Sequence, residues 1–231
     1  MPGVGDGPRF LVIQHARHEG PGLLALALES AGIAWTVCQP RGGDTLPSAT
    51  ELDGVVGVAA LGGPMGVYDT ARYPWLADER ELLRVAVDRD LLVVGVCLGA
   101  QQLALALGAE VSMGCEPEVG VGEVRLTEDG LADPVLGPAG DPLPCVHWHA
   151  DTFDLPGGAV RLAGNERFVN QAFRVGERAY ALQFHVEVDE ALAGAWAPHL
   201  PPGVELAASD RSPAERAGRG VVERLVGLAA G

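Results

Sequence analysis

The feature that most constrains this chain is residues 91–107. Leu91-Leu92-Val93-Val94-Gly95-Val96 is an unbroken apolar run, the pattern of a parallel strand covered on both faces. It passes without a loop into Gly95-Val96-Cys97-Leu98-Gly99, and a helix-forming stretch, residues 100–107, follows at once. A strand that becomes a helix this abruptly needs a tight turn, which the flanking glycines permit, and such a turn pushes the middle side chain out over the end of the sheet. A thiol there meets the positive end of the helix dipole, which favours the nucleophilic thiolate. The plainer alternative is that Cys97 is a small buried hydrophobe between packing glycines, as free cysteines usually are.

The neighbouring segments extend the same pattern. Residues 10–14, 33–38 and 54–60 read as short buried strands, and residues 22–31 and 74–89 carry apolar positions at helical spacing, the latter at Leu76, Leu82, Leu83 and Val87. Strand alternating with helix predicts an α/β fold: an open mixed sheet, largely parallel at its centre and flanked by helices. The second half differs. Residues 118–126, 144–148, 160–162, 172–175 and 179–183 are short strand candidates divided by turn residues, and read as antiparallel additions to the sheet rather than a second domain. Ser212-Pro213-Ala214-Glu215 reads as a capping box opening a last helix. The expected organisation is an irregular tail over residues 1–8 and a single domain over 9–231.

The chain has 231 residues, 48% hydrophobic and 20% charged, enough apolar material for a sizeable core. Its net charge of −15, with every Lys+Arg position an arginine, disfavours nucleic acid and anionic lipid as partners. The N-terminus lacks the basic-then-apolar pattern of a signal peptide, and no apolar run approaches a membrane span. The scattered Cys38, Cys97, Cys115 and Cys145 read as reduced thiols of a cytoplasmic protein.

A nucleophilic cysteine needs an activating base. Gln183-Phe184-His185-Val186-Glu187 ends a probable strand. An imidazole there can take and return a proton, and Glu187, two residues on along extended backbone, lies on the same side and can fix its tautomer. Alone, His-x-Glu would be an ordinary surface pair; beside the cysteine turn it completes a triad. Leu61-Gly62-Gly63-Pro64-Met65-Gly66 follows the third strand. A backbone N–H from this glycine loop, with that of Leu98, would face a developing oxyanion. No Lys-Ser/Thr follows it, which excludes a Walker-type phosphate site.

In order and spacing, residues 62–66, 95–101 and 183–187 together resemble the class I glutamine amidotransferase family, the glutaminase half of guanosine monophosphate synthetase among them. The resemblance runs from Phe10 to about Trp196. It implies a flavodoxin-like sheet and a cofactor-free mechanism. Cys97 would attack the glutamine side-chain amide, His185 would act as base and then acid, Glu187 would orient it, and the backbone N–H groups of Gly63 and Leu98 would form the oxyanion hole. Gln101, Asn170, Ala172 and Phe173 match positions that hold the substrate. Val186 stands where the family commonly has proline, and Ala172 where glycine is frequent; neither removes a reacting group. The chain ends soon after the glutaminase unit, so a synthetase accepting the ammonia is expected on another chain.

Other features carry less. His147 and His149 share a strand face, but two ligands without a third make a poor zinc site, so they are expected to wall the active site and no metal is expected. His15 and His18 read as loop histidines, ordinarily solvated, and Tyr68, Tyr73 and Trp75 as packing residues rather than a pocket gate. Three functions follow in order: a glutaminase feeding ammonia to a separate acceptor enzyme, a stand-alone hydrolase of γ-glutamyl amides, and a catalytically silent sensing or scaffold protein on the same fold.

Overall fold

The computed structural model describes residues 8–229. Residues 1–7, most of the expected tail, lie outside that span. In chain order the strands are β1 (Arg9–Ile13), β2 (Ala34–Cys38), β3 (Val55–Ala60), β4 (Leu92–Val96), β5 (Val111–Leu126), β6 (Leu143–Phe153), β7 (Val160–Gly164), β8 (Ala172–Val175) and β9 (Ala179–Leu182). The helices are α1 (Leu23–Ser30), α2 (Trp75–Asp88), α3 (Leu98–Ala106), α4 (Glu128–Ala132), α5 (Glu190–Trp196) and α6 (Ala208–Ala229).

The strands form one sheet in the order β2-β1-β3-β4-β9-β8-β7-β5-β6. The first five pair in parallel, with β9 in the fifth place of a flavodoxin-like 2-1-3-4-5 arrangement. From β9 onward every pairing is antiparallel. All five residues of β4 are buried, as its unbroken apolar run requires. Alternate residues feed two cores. Phe10, Val12 and Val94 pack with Leu24 and Leu28 of α1 and Val222 and Leu225 of α6. Leu11, Ile13 and Val93 pack with Leu76 and Leu83 of α2 and Leu103 of α3 on the other face.

Several elements differ from their sequence expectations; α4 was not expected, and β6 runs to Phe153 where the sequence suggested an end at 148. Strand β5 begins at Val111, seven residues early, and pairs with β6 through an irregular register between Met113 and Glu118. Its first half is mostly exposed and contains Gly114 and Pro117, so no hydrophobic alternation marks it. Helix α6 begins at Ala208, which places Pro213 inside it; the Ser212 hydroxyl donates to the Ala208 carbonyl instead of capping. Helix α5, unforeseen, is capped by the Asp189 carboxylate, which accepts from the Leu192 N–H at 2.7 Å. Among the described residues, no helix is long and apolar enough to cross a membrane.

Candidate active site

The turn between β4 and α3 is strained as its sequence demands. Cys97 has φ 52° and ψ −108°, a left-handed conformation uncommon outside glycine. A Cβ on Gly95 would overlap the Gly99 carbonyl, and one on Gly99 would overlap the Ala60 carbonyl, so both glycines are steric necessities. The Cys97 N–H donates to the Leu182 carbonyl at 2.8 Å, which ties the turn to β9. The Gly99 N–H donates to the Leu61 carbonyl at 3.1 Å, which ties it to the glycine loop. Leu98 opens α3, where a backbone N–H has no intrahelical partner.

His185 lies just past β9. Its N–H donates to the Val146 carbonyl of β6 at 2.8 Å. Its Nδ1–H donates to Glu187 Oε1 at 2.6 Å, and both side chains are almost wholly buried. The opposite nitrogen, Nε2, is buried and without a hydrogen-bond partner among the described residues. Burial works against the His185 imidazolium, but the Glu187 carboxylate and an anionic Cys97 sulfur outweigh it and hold its pKa well above the ordinary histidine value. Trp196 of α5 packs edge-on against the ring at 4.7 Å. Two helices grip this segment closely: a Cβ on Gly22, before α1, would overlap the Glu187 carbonyl, and one on Gly218 of α6 would overlap that of Val186.

A cavity of about 420 Å³ opens at this end of the sheet, lined by Gly63, Cys97, Gln101, Trp148 and His149 among others. His185 and Glu187 are buried and do not line it. Gln101 is held by its amide, which donates to Gln183 Oε1 at 3.1 Å. The side chains of the other expected substrate residues are engaged within the fold. Ala172 and Phe173 are fully buried in the two cores, Phe173 edge-on to Phe153. Asn170 donates its side-chain amide to the Phe153 carbonyl at 2.9 Å. None of these three side chains lines the cavity.

His15 is not a solvated loop residue. It is fully buried, and Trp75 stacks on it at 5.5 Å. Its Nδ1 donates to the carbonyls of Leu61 and Gly62 at 2.9 and 3.1 Å, and its Nε2 donates to Glu79 Oε2 at 2.9 Å. All three partners can accept, an arrangement that favours the imidazolium. Burial opposes that charge, the Glu79 carboxylate restores it, and the net pKa is raised. The glycine loop is thus braced from behind by a buried ion pair. The ring also leaves no room for a side chain at position 63, where a Cβ would lie 2.7 Å from that of His15. Sequence reasoning passed over Glu79 because it occupies one position of an otherwise ordinary amphipathic helix. Glu19 was missed too; it is buried beside Gly62, and desolvation raises its pKa.

His18 instead stacks on His199 at 4.0 Å. Tyr73 packs near Trp75, and the exposed Tyr68 accepts from the Val111 N–H. None of the three lines the cavity. All four cysteines are free; burial pushes Cys38 up to about 11 and raises Cys145 well above its ordinary value. His147 and His149 share a buried face, as expected, but the fold adds a third residue, Glu118 of β5.

Residues 24–195 match the family model "Glutamine amidotransferase class-I". The chain is 32% identical over 180 residues to the glutamine amidotransferase-like protein YfeJ of Salmonella typhimurium, covering 78% of this chain and 75% of the relative. It is 32% identical over 173 residues to one of the separate subunits of the glutamine-hydrolysing GMP synthase of Thermoplasma volcanium, covering 69% and 79%. It spans 28% of each of two glutamine-hydrolysing GMP synthases of Porphyromonas gingivalis that it matches. In three dimensions it superposes on a glutamine amidotransferase of Thermotoga maritima with a TM-score of 0.82 at 29% identity, over 96% of this chain and 98% of that one. The chain belongs to the class I glutamine amidotransferase family.

Proposed function

We propose that the chain hydrolyses the side-chain amide of glutamine through a glutamyl thioester on Cys97 and releases ammonia to a separate acceptor enzyme. The observation that carries this reading is the buried His185–Glu187 hydrogen bond, which commits one ring nitrogen and leaves the other free in the same site as the strained Cys97 turn.

The Cys97 thiolate attacks the amide carbon, and the carbonyl oxygen becomes an oxyanion facing the N–H groups of Gly63 and Leu98. As the C–N bond breaks, His185 Nε2 gives its proton to the leaving nitrogen and ammonia departs. The now neutral ring takes a proton from water, which attacks the thioester, breaks the C–S bond and yields glutamate and the free thiolate. Gln101 contacts the substrate from the cavity wall; Asn170, Ala172 and Phe173 contribute through their surroundings, since their side chains are engaged elsewhere. A separate acceptor is supported by the similarity to a synthase component that is itself a distinct chain. A second reading, hydrolysis of γ-glutamyl amides, is favoured by the apolar lining at Pro117, Val119, Trp148 and Pro201, which suits an apolar leaving amine.

The test is ammonia release from L-glutamine and from a panel of γ-glutamyl amides, with Cys97→Ala as control. Glutamine turnover abolished in the variant supports the first reading, and a strong preference for a γ-glutamyl amide transfers it to the second. Full activity in Cys97→Ala would sink both.

A further inference from the structure

Behind the cavity wall, β5 and β6 run antiparallel, and Glu118 pairs directly with His149. His147, two residues earlier on β6, points to the same face. Gly122 leaves room for its ring, since a Cβ there would lie 2.9 Å from His147 Cδ2. One oxygen, Glu118 Oε2, lies 3.3 Å from His149 Nε2 and 3.5 Å from His147 Nδ1. Among the described residues neither nitrogen has a hydrogen-bond partner, although each is buried.

That arrangement brings two buried nitrogens and a carboxylate oxygen within 4.8 Å of one another. His149 Nδ1 faces the Asp151 carbonyl at 3.0 Å, and a carbonyl only accepts, so the ring proton sits on Nδ1. That leaves Nε2 as the nitrogen turned toward the Glu118 carboxylate oxygen. On the other ring, His147 Nε2 is engaged with Cys145 Sγ at 3.3 Å, which again leaves Nδ1 facing Glu118. The carboxylate is itself oriented by two amide donors, Gln171 Nε2 to Oε2 at 2.6 Å and Asn165 Nδ2 to Oε1 at 2.9 Å. Ligating histidines characteristically commit their second nitrogen elsewhere, and ligating carboxylates are held by further hydrogen bonds. In a tetrahedral site with bonds of about 2.0–2.1 Å, neighbouring ligand atoms lie about 3.3 Å apart.

We propose that Glu118, His147 and His149 bind a zinc-class divalent cation. Two imidazoles and one carboxylate suit zinc or a neighbouring first-row ion, with water in the remaining position. The cation would fasten β5 to β6 immediately after the irregular register at Met113–Glu118, where the ladder is interrupted, and so stiffen the wall that His149 presents to the cavity.

The test strips the full chain with chelator and titrates it with cobalt(II), then zinc. One equivalent of cobalt should bind, with the visible d–d bands of a tetrahedral nitrogen–oxygen site, be displaced by zinc, and raise the melting temperature. Cys97→Ala should bind equally well. His149→Ala and Glu118→Gln should each weaken binding more than about 100-fold, beyond the roughly 10–100-fold typical of outer-shell changes. Glu118→Gln preserves the side chain's volume and one amide contact, so it decides the matter if His149→Ala does not fold. Absence of cobalt binding by the folded wild type would overturn the assignment, as would unchanged affinity in Glu118→Gln. So would a thiolate charge-transfer spectrum lost in Cys97→Ala, which would place the ion on Cys97 and His185.

Discussion

The ends of β1 and β9 each lead into a buried histidine paired with a carboxylate, and the two pairs differ in one nitrogen. His185 bonds Glu187 through Nδ1 and leaves Nε2 without a hydrogen-bond partner among the described residues. His15 commits both nitrogens, one to Glu79 and the other to the glycine-loop carbonyls. The first ring keeps a site for moving a proton. The second cannot move one without breaking its contacts, so it serves as a charged strut. The same chemical pair is thus reactive or structural according to whether a donor site is left open.

The largest expected effect lies on the reactive pair. Replacing Glu187 with Gln keeps the shape of the pair but presents the wrong hydrogen-bonding group to Nδ1, and kcat should fall by about 10⁴-fold in an ammonia-release assay. The melting temperature should move far less than the rate. The corresponding change at the strut, His15→Ala, should reverse that balance. It leaves Glu79 buried without its partner, a loss of about 3–5 kcal/mol in denaturant unfolding. Equal damage to rate and stability from both variants would erase the distinction between the pairs.

A double replacement sharpens it. His15→Leu with Glu79→Leu substitutes packed apolar groups for the ion pair, so much of the stability should return. The glycine loop would still lack its brace, and kcat should remain about 10-fold to 100-fold low, short of or near the loss of one oxyanion donor. Recovery of full activity would show that the strut does not position the loop.

The smallest effect is in pH. Both histidines have folded-state pKa values raised above their unfolded value. The stability each contributes is therefore fully present below about pH 6.5 and lost as pH rises through the folded value. Melting temperature should decline over that alkaline window. The slope should be shallower in the His15→Leu, Glu79→Leu protein, and an unchanged slope would assign the titration to His185 alone.

Much of the reactive region was legible in the sequence because steric demands leave residue-level marks. Gly95 and Gly99 flank Cys97 because no other residue fits the turn, and the apolar run before them could only be a strand covered on both faces. His185 and Glu187 needed only alternation along extended backbone. The strut and the Glu118 cluster left no such mark. Glu79 is one of four acidic positions in α2, 64 residues from His15, and Glu118 lies in a strand whose first half shows no alternation. Val111–Leu126 and α6 show the same limit at the level of elements: polar, exposed turns of chain take their structure from pairing and packing partners elsewhere.

The sequence by itself determined the α/β alternation, the cysteine turn, and the histidine and glutamate placed beyond β9, since each follows from local sterics and periodicity. The fold sets which titratable groups meet: His15 with Glu79 behind the glycine loop, and Glu118 with His147 and His149 across β5 and β6. Such partners are chosen by the distance between strands and helices remote in the chain, and no local pattern records that distance.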